Sequence, residues 1–92
     1  MAGAAVTGAS RGIGAACAVA LAQQGFDVAV GYVRDGEGAA RTVAACEAIG
    51  VRAFAHQVDV SDEAAAAGFV AAAEEAFGEL EAVVLNAGIT RD

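Results

Sequence analysis

The sequence predicts an α/β fold in which helices cover both faces of a parallel sheet. Short apolar runs of the kind that form buried strands alternate with longer stretches of helical periodicity, in the order β-α-β-α-β-α-β. Helices that connect successive strands imply parallel pairing through right-handed crossovers. The expected strand order is 3-2-1-4, which is most of a doubly wound sheet. Hydrophobic residues make up 58% of the 92 residues, and this share argues against a disordered chain.

The first half of the chain supplies two of the predicted strands and two of the helices. Residues 4–7 and 27–32 are the strands, and residues 13–24 and 39–49 are the helices. Ile13, Cys17 and Leu21 recur at the spacing of one helix face, which predicts that this face is buried. Gly25 and Gly50 follow the two helices as C-terminal caps, and residues 35–38 form a predicted turn.

The second half adds two strands, residues 52–57 and 82–85, around a helix over residues 64–77. Ser61 is the predicted N-cap of this helix, and Gly78 ends it. Its buried face is predicted to contain Phe69, Val70, Ala73 and Phe77. The last strand is a continuous apolar run, which predicts burial on both faces and, without a further neighbour, an open edge prone to aggregation.

A glycine-rich loop joins the first strand to the first helix, with glycines at positions 8, 12 and 14. Such a loop permits a tight turn, a close approach of the backbone to a pyrophosphate, and close packing of the helix on the strand. The N-terminus of the helix then offers free N–H groups to phosphates. Tight turns also use glycine, but the position between a strand and a helix favours dinucleotide binding. The chain has no lysine, which excludes a Walker P-loop.

Residues 7–14, T-G-A-S-R-G-I-G, resemble the T-G-x-x-x-G-x-G signature of the short-chain dehydrogenases/reductases. Asp59-Val60 resembles the adenine-contacting dipeptide of that family, and Asn86-Ala87-Gly88 resembles its N-A-G element. Leu85 stands where the family usually has a first asparagine. Residues 89–92 resemble the following segment of beta-ketoacyl-acyl-carrier-protein reductases and acetoacetyl-CoA reductases.

This resemblance implies that residues 1–92 are a Rossmann-type dinucleotide-binding half-domain that stops before the catalytic segment. The residues expected around the phosphates and the adjoining ribose are Gly8, Ser10, Arg11, Gly12, Ile13 and Gly14. Asp59 is expected to accept a hydrogen bond from the adenine amino group, and Val60 to lie against the ring. Asn86 is expected beside the nicotinamide ribose, in a turn that Ala87 and Gly88 shape.

The end of the second strand favours NADP(H) over NAD(H). An NAD enzyme usually has an acidic residue there, which accepts a hydrogen bond from the ribose 2′-OH. This chain has Tyr32, followed by Arg34, and Arg34 with Arg11 is expected to bind a 2′-phosphate. Asp35 and Glu37 oppose this interpretation unless they point to solvent. An exposed turn residue with no ligand is the alternative for Arg34.

No catalytic residue is assigned. The resemblance implies hydride transfer to a carbonyl, most simply that of a 3-oxoacyl thioester, with a serine, a tyrosine and a lysine placed beyond the fourth strand. Tyr32 is not that tyrosine, because Gly36 stands where the lysine is required. His56 is more simply a structural residue, and no metal-binding set is apparent. These 92 residues are therefore expected to be inactive alone.

Composition limits the remaining classes of function. Five arginines against twelve acidic residues give a net charge of −7, which argues against nucleic acid or a membrane surface as partner. The sequence predicts no membrane span, and the absence of a recognisable signal peptide favours a cytoplasmic protein. Cys17 and Cys46 are expected to be small buried residues. The full-length enzyme is expected to be a homo-oligomer. A non-catalytic nucleotide-binding module and a truncated product that needs a partner chain remain alternatives.

Overall fold

The computed structural model describes residues 2–86 and has the predicted order of strands and helices. The elements are β1 (Gly3–Val6), α1 (Gly12–Gln23), β2 (Asp27–Tyr32), α2 (Gly36–Ile49), β3 (Ala53–Gln57), α3 (Glu63–Phe77) and β4 (Leu80–Val84). All strands pair in parallel, and their order is β3-β2-β1-β4, which confirms the predicted topology. No helix within residues 2–86 has the length and apolar character that crossing a membrane requires.

Two clusters of buried side chains hold the helices on the two faces of the sheet. Val6, Val28 and Val30 pack with residues of α1 and α2 on one face. Ala5 and Ala29, which alternate with them along the strands, face Phe69 and Ala73 of α3 on the other. Of the four residues predicted on the buried face of α3, Phe69 and Ala73 are buried, whereas Val70 and Phe77 are half-buried. A layer of helices on each face exposes only the ends of the central strands, where ligands of doubly wound folds bind.

The buried face of α1 differs from the predicted one. Its buried residues are Gly14, Ala18 and Ala22, whereas Ile13 is 77% exposed. Cys17 and Leu21 lie at the border of the core and are half-buried. Small residues on the innermost stripe let the helix axis come close to the sheet. The larger apolar side chains therefore flank the contact instead of filling it.

The prediction of a turn over residues 35–38 is wrong, because α2 already begins at Gly36. The Asp35 carboxylate accepts a hydrogen bond from the Gly38 N–H at 2.9 Å and caps the helix. With Glu37 in the first turn, this cap offsets the low helix propensity of the two glycines. The N-terminal end of α2 is therefore brought directly beside the glycine loop.

The predicted N-cap of α3, Ser61, is also corrected. Asp62 caps the helix by accepting from the N–H groups of Ala64 and Ala65. The Ser61 hydroxyl donates instead to the Asp59 carboxylate, 2.6 Å away. Both Ser and Asp are good N-cap residues. The competing acceptor at position 59 decides between them.

Strand β4 is not buried on both faces as predicted. Val83 pairs with Ala5 of β1, so it shares the face that α3 covers, yet it is 46% exposed. Glu81 is exposed as well, and Leu85, just after the strand, is 67% exposed. The reason is that β4 is the edge strand among the described residues, where α3 gives only partial cover.

At the amino end of the sheet, an ion pair joins Asp27 of β2 to Arg52, the residue just before β3. Asp27 is 2% exposed and accepts hydrogen bonds from the backbone N–H and the guanidinium of Arg52. The same guanidinium lies 5.2 Å from the centre of the Phe77 ring. Burial works to raise the pKa of Asp27, but the hydrogen bonds and charge of Arg52 outweigh it and leave that pKa below its ordinary value. The contacts of Arg52 with Asp27 and Phe77 therefore stabilise this end of the sheet.

Candidate functional site

The glycine loop leaves the carboxyl end of β1 and turns into α1. Gly8 and Gly12 have φ angles of +61° and +64°, in the left-handed region that glycine adopts without strain. A Cβ on Gly8 would lie 2.9 Å from the Asn86 carbonyl oxygen, so space as well as conformation requires glycine there. A Cβ on Gly12 would have no atom of residues 2–86 within 4 Å, so no described residue covers this glycine. The backbone at Gly12 is therefore accessible to a ligand.

Gly14 brings the first turn of α1 against the loop. A Cβ at this position would overlap the Gly8 carbonyl oxygen and would lie 2.8 Å from the Asn86 side-chain nitrogen. No L-amino acid with a side chain fits without moving backbone atoms. The sequence predicted that the last glycine lets the helix pack closely on the strand, and the structure places this close approach at the loop just after β1.

Among the described helices, α1 alone begins without a side-chain cap. Asp35 and Asp62 cap α2 and α3 with their carboxylates. The N-cap of α1 is Arg11, whose backbone is extended and whose side chain makes no capping hydrogen bond. Among residues 2–86, no side chain accepts from the N–H groups of this first turn, and the end of the helix carries a partial positive charge. An anion at this point would fill the place that aspartate fills in the other two helices.

Thr7 and Asn86 connect the loop to the end of β4. Thr7 is 2% exposed; its hydroxyl accepts from the Asn86 N–H at 2.9 Å and donates to the Val84 carbonyl oxygen at 3.5 Å. The Asn86 side chain donates to the Gly8 carbonyl at 3.3 Å. Asn86 therefore lies against the glycine loop and fixes its position.

A second brace comes from α2. The Thr42 hydroxyl donates to the Ala9 carbonyl at 2.8 Å, and the Ala9 N–H donates to the Gly31 carbonyl at 2.9 Å. A Cβ on Gly38 would lie 2.5 Å from the Ser10 carbonyl oxygen. The sequence prediction gave no role to Thr42 or Gly38, because spacing within α2 does not show which of its residues meet a loop near the start of the chain.

Asp59 and Arg34 lie near each other at the carboxyl ends of β3 and β2. Hydrogen bonds from the Ser61 hydroxyl and N–H hold the pKa of Asp59 below its ordinary value, and the charge of Arg34 acts in the same direction. Asp59 is exposed, as is Arg34, and Val60 is 38% exposed. One carboxylate oxygen of Asp59 is thus engaged by Ser61, and the group stays ionised as an acceptor.

The segment that carries Arg34 is fixed by β3. The Gln57 side chain donates to the Val33 carbonyl at 2.8 Å, and the Val58 N–H donates to the Tyr32 carbonyl at 2.7 Å. These bonds hold the end of β2 beside the loop after β3. Sequence reasoning missed Gln57, since nothing in its spacing distinguishes it from an exposed strand residue.

The structure thus gathers most of the predicted site at one edge of the sheet. The glycine loop and Asn86 form one part, and Arg34, Asp59 and Val60 form a second part across β2 and β3. Ala87, Gly88 and the segment 89–92 lie outside the described residues.

His56 packs against Phe69 with ring centres 5.5 Å apart, as expected of a structural residue. No cluster within residues 2–86 offers a metal three His, Cys, Asp or Glu ligands.

Comparison with known proteins decides the family. A family profile described as short chain dehydrogenase matches residues 2–92. The chain belongs to the short-chain dehydrogenase family. Members of this family are oxidoreductases that bind a nicotinamide dinucleotide, and the predicted family is confirmed.

The names of individual relatives state different substrates. L-rhamnose 1-dehydrogenase (NAD(P)(+)) of Sphingomonas sp. (strain SKA58) is 50% identical over 84 residues, which are 91% of this chain and 33% of that protein. The 3-oxoacyl-[acyl-carrier-protein] reductase of Staphylococcus aureus (strain Mu50 / ATCC 700699) is 45% identical over 87 residues, 95% of this chain and 35% of that protein. The crystal structure of acetoin dehydrogenase YohF from Salmonella typhimurium matches with a TM-score of 0.89 at 34% identity, over 98% of this chain and 37% of that one. This short-chain dehydrogenase chain therefore spans about a third of the length of the curated relatives that it matches.

Proposed function

We propose that this chain is the NADP(H)-binding portion of an oxidoreductase that transfers hydride to a carbonyl group. One observation carries the proposal. The N-terminus of α1 has no side-chain cap, and it follows a glycine loop at the carboxyl ends of the strands of a doubly wound sheet. That arrangement suits the pyrophosphate of a dinucleotide, because backbone N–H groups and the helix dipole both favour an anion there. When bound, the cofactor supplies the hydride.

Different residues of the chain are proposed to bind different parts of the cofactor. Gly12, Ile13 and Gly14 present the first N–H groups of α1 to the phosphates, and Ser10 adds a hydroxyl donor. Asp59 accepts from the adenine amino group with the carboxylate oxygen that Ser61 leaves free, and Val60 covers the ring. Asn86 keeps the loop in place and, with Ala87 and Gly88, lines the approach to the nicotinamide ribose. That no described residue covers Gly12 supports this assignment.

The preference for NADP(H) over NAD(H) rests on arginines of this chain. Arg34 follows the end of β2 where an acidic residue would select NAD, and Arg11 stands at the start of α1. Both are exposed, and neither forms an ion pair within residues 2–86. The names of the relatives do not separate the cofactors, since the rhamnose dehydrogenase is named for both.

A 3-oxoacyl thioester is the proposed substrate of the complete enzyme, which we expect to be a cytoplasmic homo-oligomer of fatty acid biosynthesis. Support comes from the similarity to 3-oxoacyl-[acyl-carrier-protein] reductase and from the sequence of residues 89–92. The names of other relatives state rhamnose or acetoin. The serine, tyrosine and lysine that the family resemblance implies for proton transfer are not assigned within these 92 residues.

A nucleotide-binding module that works only with a partner chain is the second candidate. The exposed apolar side chains Val83 and Leu85 at β4 form a surface that a partner chain or a further strand of the same protein would cover, so this surface agrees with both candidates. The coding sequence after residue 92 separates the candidates. A continuing frame with a serine and then Y-x-x-x-K supports the enzyme, and a stop codon supports the module or a truncated product.

The cofactor preference is tested by titrating the chain with NADPH and with NADH. We expect tighter binding of NADPH. We expect Arg11→Ala to weaken NADPH binding by about thirtyfold, the factor that corresponds to loss of a bond worth about 2 kcal/mol, with little effect on NADH. Gln24→Glu is the matched control, because it changes the net charge equally at an exposed position distant from the loop. Equal affinities for the two cofactors, or an Arg11→Ala variant that binds NADPH normally, would refute the proposal.

A further inference from the structure

A groove of about 530 Å³ runs between α1 and α2 and ends at the glycine loop. Its floor consists of small apolar residues of both helices, and its polar lining includes Ser10, Arg11, Arg41 and Thr42. Ser10 and Arg11 belong to the loop already described, so the groove is continuous with the candidate cofactor site. Arg41 has no role in that site so far.

The charge of this groove contrasts with that of the whole chain. The chain has a net charge of −7, yet among residues 2–86 the only charged residues that line the groove are Arg11 and Arg41. The one ion pair within residues 2–86 joins Arg52 to Asp27, so neither guanidinium in the groove is neutralised by a carboxylate there. Two guanidinium groups without a carboxylate partner give the groove a local positive charge, and such a charge attracts an anion. The groove therefore suits an anionic ligand.

The position of Arg41 on α2 directs it toward the loop. Gly38, one turn earlier, packs under the Ser10 carbonyl, and the adjacent Thr42 donates to the Ala9 carbonyl. Side chains of a helix lean toward its N-terminus. The N-terminus of α2 is Gly36, two residues after Arg34, so the Arg41 side chain leans toward this end of the helix.

We propose that Arg41 is a specificity-determining residue that contacts the 2′-phosphate of NADP(H) together with Arg11. This inference rests on the proposed function and deepens it. A phosphate monoester carries close to two negative charges at neutral pH and accepts bidentate hydrogen bonds from guanidinium groups. NADH lacks this group, so Arg41 distinguishes the two cofactors without contributing to the binding of NADH.

The test is a titration of the full chain and its Arg41→Ala variant with NADPH, NADH, 2′-AMP and 5′-AMP. We expect the variant to bind NADPH and 2′-AMP about tenfold more weakly, with NADH and 5′-AMP unchanged. Ala44→Glu is the control, since it alters net charge equally on an exposed part of α2 that does not line the groove. Arg41→Lys, which keeps the charge but not the fork, is expected to restore part of the affinity.

The possible outcomes distinguish failure of the role of Arg41 from failure of the proposed NADP(H) preference. If the unmodified chain binds NADPH no better than NADH, the NADP(H) preference fails and the role of Arg41 fails with it. If the preference holds and Arg11→Ala abolishes it while Arg41→Ala does not, only the role of Arg41 is overturned. Equal weakening of NADPH and NADH by Arg41→Ala would also overturn it, because that pattern indicates a structural role in α2.

Discussion

Replacing Gly14 with alanine is expected to destabilise the chain severely. The added Cβ would overlap the Gly8 carbonyl oxygen, which is backbone and cannot rotate away. Overpacking of this kind typically costs up to about 3 kcal/mol, a large part of the stability of a small domain. Because relief requires moving α1 away from the loop, cofactor binding is expected to fall as well. Urea denaturation followed by circular dichroism measures the first effect, and NADPH titration measures the second.

The chain provides a matched control for that substitution in another helix. Gly68 lies within α3, and in the described part of the chain a Cβ there would have no neighbour within 4 Å. Gly68→Ala is expected to raise the free energy of unfolding by about 0.5–1 kcal/mol, because alanine is the better helix former. If Gly14→Ala were as stable as Gly68→Ala and bound NADPH normally, the close packing of α1 on the loop would be ruled out.

Removal of the Thr7 hydroxyl is the second change expected to have a large effect. Thr7→Val keeps the shape of the side chain but leaves the Asn86 N–H without its acceptor. A part-buried donor without a partner costs about 1–3 kcal/mol. We expect a fall of that size in the free energy of unfolding, measured by urea denaturation. The affinity for NADPH should decrease too, because Asn86 would no longer be held against Gly8.

Thr7→Ser tests whether the hydroxyl is responsible. Serine keeps the donor and acceptor while it removes a methyl group, so its stability and NADPH affinity should lie much nearer those of the unmodified chain. A serine variant as weak as the valine variant would show that packing of the methyl group, and not the bond to Asn86, determines the effect.

The sequence predicted the topology because each strand is marked by its own apolar run. Residues 27–32 were predicted as a strand and are β2, and glycines with positive φ stand at the ends of the helices where Gly25, Gly50 and Gly78 were predicted to end them. The glycine loop was equally clear, since its constraints are local to residues 8–14. These features depend on interactions between near neighbours in the chain.

Features that depend on distant residues were not predictable. The choice between Ser61 and Asp62 as N-cap is made by Asp59, which engages the serine hydroxyl. The exposure of Ile13 follows from how closely α1 approaches the sheet. The brace from Thr42 to Ala9 joins residues that are 33 positions apart, and no local spacing marks it.

The most direct test of dinucleotide binding at the glycine loop is a map of backbone amide resonances during titration with NADPH. Binding as proposed should shift the amides of Gly8, residues 10–14 and Asn86, at the carboxyl edge of the sheet. The amide resonances of Asp27 and Arg52, at the amino end of the sheet, should not shift. Shifts confined to that amino end, or no saturable shift at the loop, would contradict the assignment of this site.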